Sequence, residues 1–214
     1  MKLPVPPPEV KVFDMKSSRT SSLPVNSLFL NRWSPRSYET TSMPEQDIHT
    51  IIEAARWAPS ANNIQPWRFI YCSREDNQWD SFVAMLDEFN ANWAQNASSL
   101  IVLVSDAYVD TPDAKAAKTS GYNSFDAGAA WAQLALQASQ MGYSAHAMAG
   151  IHKDRIQETL ALPNRFKIEI VIAIGKKGKT ENLPEYLQAR EQPSTRLELH
   201  EIAFKGVFEN AKSL

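Results

Sequence analysis

The sequence predicts an α+β or mixed α/β fold built around a central sheet. Two apolar runs rich in β-branched residues, SLIVLVSD at 99–106 and KIEIVIAIG at 167–175, are typical of strands buried on both faces. Residues 125–142 are rich in alanine and poor in charge, which predicts a long helix that ends at Gly142. The helix is apolar on nearly all sides, so it is expected to be buried, against the rest of the chain or against a second subunit. Strands and helices alternate along the chain, but the helices are few and unequal in length, so the two fold classes stay open.

Three further helices and two extended segments complete the predicted order. The helix over 42–59 is predicted to begin at a Ser42 cap with Pro44 in its first turn, and Pro59 ends it. The remaining helices are predicted at 76–90 and 154–163, and the extended segments at 68–73 and 142–150.

The composition is that of one ordinary globular domain. The chain has 214 residues, of which 43% are hydrophobic and 21% are charged, enough to bury a substantial core. Residues 1–26 are rich in proline and serine and are predicted to form an irregular arm before a domain at 27–214. The net charge of -2 does not favour nucleic acid or an anionic membrane surface as a partner.

We expect neither a membrane span nor a signal peptide. No segment approaches the ~18 apolar residues of a membrane span, and the amino terminus lacks the apolar core of a signal peptide. Cys72, the single cysteine, lies in the apolar run FIYC, so a buried structural thiol is expected. One cysteine cannot form an internal disulfide, which fits a cytoplasmic location.

Several common kinds of site find no support in the sequence. The seven glycines form neither a dinucleotide-binding turn nor a phosphate-binding P-loop, and no G-x-S-x-G motif is present. The histidines are scattered without ligand spacing, so no metal site is predicted; they are His49, His146, His152 and His200.

Four polar stretches at the ends of predicted elements carry the remaining chemistry. RWSPR at 32–36 offers guanidinium groups and a hydroxyl, which suit an oxyanion such as phosphate. PSANNIQPW at 59–67 offers amide donors and acceptors for the edge of a heterocycle. HAMAG at 146–150 could bring backbone N–H groups to a planar ligand, and PSTR at 193–196 adds another arginine. A solvated turn for the first stretch and amides that bond their own backbone for the second remain the alternatives.

The order of these stretches resembles the nitroreductase family of FMN-dependent oxidoreductases. R-x-S-x-R is followed by a helix and then by P-S-x-x-N-x-Q-P-W, which together are specific. Later stretches are also similar to the family, namely FNANWAQNASSLIVLV, YNSFDAGAAWAQLALQASQMGY, HAMAG and QPSTRLELHEI. The resemblance covers residues 28–208.

The resemblance implies a role for each residue of the first and last stretches. Arg32, Ser34 and Arg196 would hold the FMN phosphate and ribityl chain. Trp33 would contribute only backbone. Arg36 would lie near the N1–C2=O end of the flavin, where its charge stabilises the anion formed on reduction.

The other implied cofactor contacts come from three segments. Pro59, Ser60 and Ala61 would line the isoalloxazine from the partner subunit. Further residues around the ring would be Asn63, Gln65, Asn90, Met148, Ala149 and Gly150. Among these, Asn90 would bond the pyrimidine edge, and a backbone N–H of the last three would point at N5. Ser194 stands where many members have a lysine, so the phosphate would be held more weakly or by a hydrogen bond instead.

The resemblance also implies an activity and an assembly. NADH or NADPH would deliver a hydride to flavin N5, and a small-molecule electron acceptor such as a nitroaromatic or a quinone would then take it, with no catalytic side chain. The family is an obligate homodimer that holds FMN at its subunit interface, with helices around a mainly antiparallel sheet. Two alternatives remain: another flavin reaction on this fold, dehydrogenation or dehalogenation, and a flavin-binding protein without turnover.

Overall fold

A four-stranded antiparallel sheet forms the centre of the computed structural model, which describes residues 18–109 and 118–208. In sheet order the strands are β1 (Trp67–Ser73), β2 (Ser99–Asp106), β6 (Phe166–Gly175) and β5 (Ser144–Met148). A separate two-stranded sheet pairs β3 (Tyr108–Val109) with β4 (Lys118–Thr119). The two apolar runs of the sequence are thus the two central strands, β2 and β6, which explains why both faces of each are apolar.

Each face of the sheet carries its own core layer. Along β2, Leu100 and Val102 point into one hydrophobic cluster, and Ile101 and Leu103 point into the other. This alternation follows from the two-residue period of a strand. The sheet is therefore covered on both sides, as expected from the two apolar runs that were predicted to be strands buried on both faces.

Eight short to medium helices surround the sheet in the described part of the chain. They are α1 (Ser27–Asn31), α2 (Glu45–Arg56), α3 (Trp79–Val83), α4 (Glu88–Ala94), α5 (Asn123–Gln140), α6 (Lys153–Thr159), α7 (Glu185–Gln188) and α8 (Leu199–Ile202). Single 3₁₀ turns lie at Ala61–Asn63 and Thr180–Asn182.

Two details of the predicted helices are wrong. The predicted helix at 76–90 is two helices, α3 and α4, because Leu86 forms a β-bridge with Ile151 and Asp87 caps a new helix by accepting the backbone N–H of Asn90. The predicted Ser42 cap is not used, since α2 begins after Pro44 without a side-chain capping bond. Apolar periodicity alone does not reveal such interruptions, because the buried positions continue across the break.

The long helix α5, predicted to be buried against the rest of the chain or a second subunit, is covered on one face in the single chain. One of its faces packs on the sheet and on α2, where Leu134 and Ala138 are fully buried. The opposite face is open in the single chain, with Phe125 78% exposed and Gly128 and Ala132 also exposed. Among the described residues this apolar face is thus left uncovered, and its burial against a second subunit stays a prediction.

The division of the chain into an arm at 1–26 and a domain at 27–214 stays a prediction. Of the predicted arm at 1–26, residues 1–17 lie outside the described residues, and 18–26 contain neither helix nor strand. Cys72 is buried as expected, and burial raises the pKa of its thiol to about 11, so it is not a reactive thiolate. No helix within the described ranges has the length and apolar character needed to cross a membrane.

Candidate functional site

A cavity of about 350 Å³ rich in arginine lies where the 18–36 segment meets the 190–196 segment. We call it the anion cavity; its lining residues are Arg19, Arg32, Trp33, Ser34, Arg36, His146, Arg190, Gln192, Ser194 and Arg196. Among the residues that the structure describes, neither aspartate nor glutamate lines it. Guanidinium groups gathered without acidic partners suit a phosphate, which they can bind through two parallel hydrogen bonds.

The loop that carries Arg36 is fixed by its backbone. The buried carboxylate of Glu191 accepts the backbone N–H groups of Arg36, at 2.9 and 3.0 Å, and of Ser37, at 2.8 Å. Pro35 is held from the other side, because its carbonyl lies 2.9 Å from Nδ1 of His146 on β5. These contacts use main-chain groups, so the arginine side chains remain directed at the anion cavity.

The cavity arginines lie close enough to repel one another. Burial, followed by the charges of Arg19 and Arg196, lowers the pKa of Arg32. Burial and then the charge of Arg190 lower the pKa of Arg36, while Glu191 acts in the opposite direction. The buried Nε of Arg36 also lacks a hydrogen-bond partner in the described part of the chain. Both observations indicate a site built to receive an anion with acceptor atoms.

His146 and Trp93 lie beside Arg36. The two rings are 4.7 Å apart, and the Arg36 guanidinium carbon lies 6.0 Å from the Trp93 ring centre. Burial is the main cause that lowers the pKa of His146 to about 4, helped by the charges of Arg36 and Arg32. The imidazole is therefore neutral at pH 7, and its Nδ1–H can donate to the Pro35 carbonyl.

A second cavity of about 470 Å³ adjoins the anion cavity and shares Arg32, Ser34 and His146 with it. We call it the apolar cavity; its other lining residues are Phe29, Trp131, Ala132, Ala135, Leu136 and Ala147. Four of these belong to the helix α5. The two cavities together would suit a ligand with an anionic end and a flat, largely apolar body.

The PSANNIQPW loop has an unusual backbone. Asn62, Asn63 and Gln65 have positive φ values of 51°, 56° and 53°, and such left-handed residues without glycine often mark functional loops. Much of its polar chemistry is internal, since Ser60 Oγ accepts the Gln65 N–H at 2.9 Å and Gln65 Nε2 donates to the Asn63 carbonyl at 3.1 Å. Ala61 donates its N–H to Asp126 on α5 at 3.2 Å.

The structure separates this loop from the anion cavity within one chain. None of the predicted residues Pro59, Ser60, Ala61, Asn63 and Gln65 lines either cavity among the described residues. An arrangement in which they reach a ligand of the neighbouring subunit stays a prediction.

Asn90, predicted to bond the pyrimidine edge of the flavin, and Gly150, predicted to lie along its other edge, are in contact with each other. Asn90 Nδ2 donates to the Gly150 carbonyl at 3.0 Å. A Cβ at Gly150 would lie 2.0 Å from a carboxylate oxygen of Asp87 and 2.6 Å from Asn90 Nδ2, so a larger residue would displace these two side chains. The Met148 side chain is buried in the core, which leaves its backbone for any ligand, whereas Ala149 is exposed.

The structure brings together six of the predicted residues at the anion cavity: Arg32, Trp33, Ser34, Arg36, Ser194 and Arg196. Arg196 Nη1 lies 3.0 Å from Ser194 Oγ, so the serine orients the arginine. Sequence reasoning missed other members of the site: Arg19, His146, Arg190, Glu191 and Gln192. Only His146 had a usable signal, because it lies in the HAMAG stretch that was already singled out.

Comparison with known proteins assigns the chain to a family. Residues 30–176, more than half of the chain, match the family model described as Nitroreductase family. The chain belongs to the nitroreductase family. The predicted family and its mainly antiparallel α+β fold are thereby confirmed.

Solved structures of this family superpose closely on the chain. A crystal structure of an oxidoreductase containing FMN is 46% identical, with a TM-score of 0.88 over 91% of this chain and 98% of that one. A candidate nitroreductase from Desulfovibrio desulfuricans, solved in complex with FMN, is 24% identical, with a TM-score of 0.68 over 88% of this chain and 100% of that one. A candidate NAD(P)H nitroreductase of Streptococcus pyogenes is 25% identical over 186 residues, 73% of this chain and 86% of that protein.

Proposed function

We propose that this member of the nitroreductase family is an FMN-dependent oxidoreductase that accepts reducing equivalents from NADH or NADPH and passes them to a small-molecule acceptor, such as a nitroaromatic or a quinone. The observation that carries the proposal is the union of the anion cavity with the apolar cavity. The 46% identical oxidoreductase, which contains FMN, supports it.

The residues present fit FMN at its phosphate end. Arg32, Ser34 and Arg196 would hold the phosphate, because their donors converge on one cavity and no described carboxylate competes for them. A phosphate dianion would also relieve the repulsion among the guanidinium groups. Ser194 would contribute its hydroxyl to the phosphate site and would also hold the Arg196 guanidinium in position.

The residues present also fit the ring end. Arg36 would place a positive charge beside the flavin, stabilising negative charge on the ring. Its unpartnered Nε offers a hydrogen bond to a ring acceptor. The backbone at 148–150, held by Asn90 on Gly150, would run along the ring edge.

When bound, FMN supplies the electron-transfer chemistry at N5. The chain's own residues bind and orient the cofactor, supply positive charge at its reduced ring and exclude water through the apolar wall of α5. His146, neutral at pH 7, keeps the Pro35 turn in place without changing its own charge. No proton transfer by a side chain is needed.

The site would be completed by a second copy of the chain. The open face of α5 and the exposed apolar side chains of the carboxy-terminal segment, Leu197, Leu199 and Ile202, support a homodimer. In such a dimer the left-handed loop at 59–67 would line the neighbour's flavin. Size-exclusion chromatography with light scattering should give a molecular mass twice the 24.0 kDa of one chain. A monomer that binds FMN at full affinity would refute this arrangement. A cytoplasmic location stays a prediction.

The visible absorption spectrum tests the proposal. Protein incubated with FMN and desalted should retain a yellow chromophore, which bleaches on anaerobic addition of NADH or NADPH and returns with a nitroaromatic or quinone. The rates with the two donors identify the preferred nicotinamide. Protein that stays colourless with excess FMN would refute the proposal, and a yellow protein that neither donor reduces would refute the nicotinamide-dependent part.

A further inference from the structure

Arg19 joins two distant parts of the chain at the anion cavity. Its Nε donates to the Ser194 carbonyl at 2.9 Å and its Nη1 donates to the Arg32 carbonyl at 2.9 Å. The first bond links residues 175 positions apart, the second links residues 13 positions apart. Arg19 lies outside the matched region at 30–176, and its guanidinium is part of the cavity wall.

These two bonds alone would make Arg19 a structural clasp between segments. Its charge adds a second consideration, because Arg19 lies among Arg32 and Arg196, and each of these cations acts on its neighbours. Arg19, Arg32 and Arg196 line the same cavity, and the proximity of like charges there costs free energy. An anion bound among the three guanidinium groups would be attracted to each of them and would offset this repulsion.

We propose that Arg19 is a further binding residue for the phosphate of the cofactor, contributing a third cation while it fixes the carbonyls of Arg32 and Ser194. This inference rests on the proposed function. Ser194 brings no charge to the cavity, and Arg19, bonded to its carbonyl, supplies one at the same place. The segment before the family-matched region is thereby part of the cofactor site.

FMN and riboflavin separate the two roles of Arg19, because they differ only in the phosphate. Dissociation constants for both flavins are measured by fluorescence quenching on the full-length protein and on Arg19→Gln and Arg19→Lys. Arg74→Gln is the matched control, since Arg74 also donates from its guanidinium to two backbone carbonyls, those of Ala97 and Gln95, but lies outside both cavities.

Arg19→Gln is expected to weaken FMN binding about tenfold, as for the loss of one charge-assisted contact at a partly exposed site, and to leave riboflavin binding unchanged. Arg19→Lys should lose less, and the control should lose nothing. If Arg19→Gln loses its far-UV circular dichroism, the FMN-to-riboflavin ratio is taken on Arg19→Lys, where a selective loss for FMN is still required.

Two results would overturn the role of Arg19 in phosphate binding and leave the proposed function intact. One is an equal loss of affinity for FMN and riboflavin, which would mean that Arg19 only links the two segments. The other is an unchanged affinity for FMN. A different result withdraws the proposed function together with this inference: unsubstituted protein that binds neither flavin. The two failures are therefore distinguishable by the behaviour of the unsubstituted chain.

Discussion

Glu191 holds Arg36 by its backbone and not by its guanidinium. Both carboxylate oxygens accept the Arg36 N–H, at 2.9 and 3.0 Å, and these two described residues form no side-chain ion pair. The acid thus fixes the position of the arginine without neutralising it by direct contact. The Arg36 charge stays available to a ligand, which is the property that an electrostatic support of a reduced cofactor needs.

Replacing Glu191 by glutamine should loosen the loop at 32–38. The amide has one acceptor oxygen in place of two and adds N–H groups that face the N–H groups of Arg36 and Ser37. We expect the free energy of unfolding, measured with urea, to fall by about 1–3 kcal/mol. The exposed Glu158→Gln is the control. Equal stability of the two variants would show that the buried carboxylate is not needed.

Arg36→Ala should weaken the binding of FMN and riboflavin alike, because this side chain is predicted to face the ring and not the phosphate. We expect about a tenfold loss for each flavin, from one charge-assisted contact, and slower reduction of the bound cofactor by NADH or NADPH. Stopped-flow absorbance measures the reduction. The exposed Arg155→Ala serves as control. Unchanged affinity and an unchanged reduction rate would refute the assigned role.

Gly150→Ala should disturb the contact between Asn90 and the 148–150 segment. The new methyl group would collide with Asp87 and Asn90, and Asp87 is also the cap of α4. We expect a loss of about 1–3 kcal/mol in unfolding free energy and weaker FMN binding. Gly121→Ala is the matched control, because a methyl group there meets nothing within 4 Å. If Gly150→Ala and Gly121→Ala have the same FMN affinity and the same unfolding free energy, the close packing at Gly150 contributes to neither property.

The free energy of unfolding of the cofactor-free protein should decrease as the pH is lowered through the range in which His146 becomes protonated. The pKa of this imidazole is about 4 in the folded chain, against an ordinary value of 6.5, so the unfolded state binds more protons between these values. The unfolding free energy should decrease by about 3 kcal/mol as the pH falls from about 6.5 to about 4. Urea titrations across this range measure it. His146→Gln should reduce the slope; an identical slope would contradict the assignment.

The sheet could be predicted from sequence because each central strand is an unbroken apolar segment. The predicted 99–106 strand coincides with β2, and 167–175 differs from β6 by one residue. The break between α3 and α4 could not be predicted, since it depends on the pairing of Leu86 with Ile151. These two residues are 65 positions apart in the chain. Local propensity does not contain such long-range pairing.

The site divides in the same way. RWSPR was identifiable because its charged groups lie within five consecutive residues. Arg19 and Glu191 were missed because each takes its role from a distant partner: the carbonyl of Ser194 for one, the backbone of Arg36 for the other. An isolated arginine or glutamate has no periodicity or spacing that would distinguish it from a surface charge.

The anion cavity draws its guanidinium groups from both ends of the described chain, from Arg19 to Arg196. A chain still being synthesised has no such cavity until its last segment has left the ribosome. Under the proposed function, FMN would therefore bind only after Arg190 and Arg196 have been synthesised, and a chain ending before Arg190 would contain all six strands but lack these two guanidinium groups.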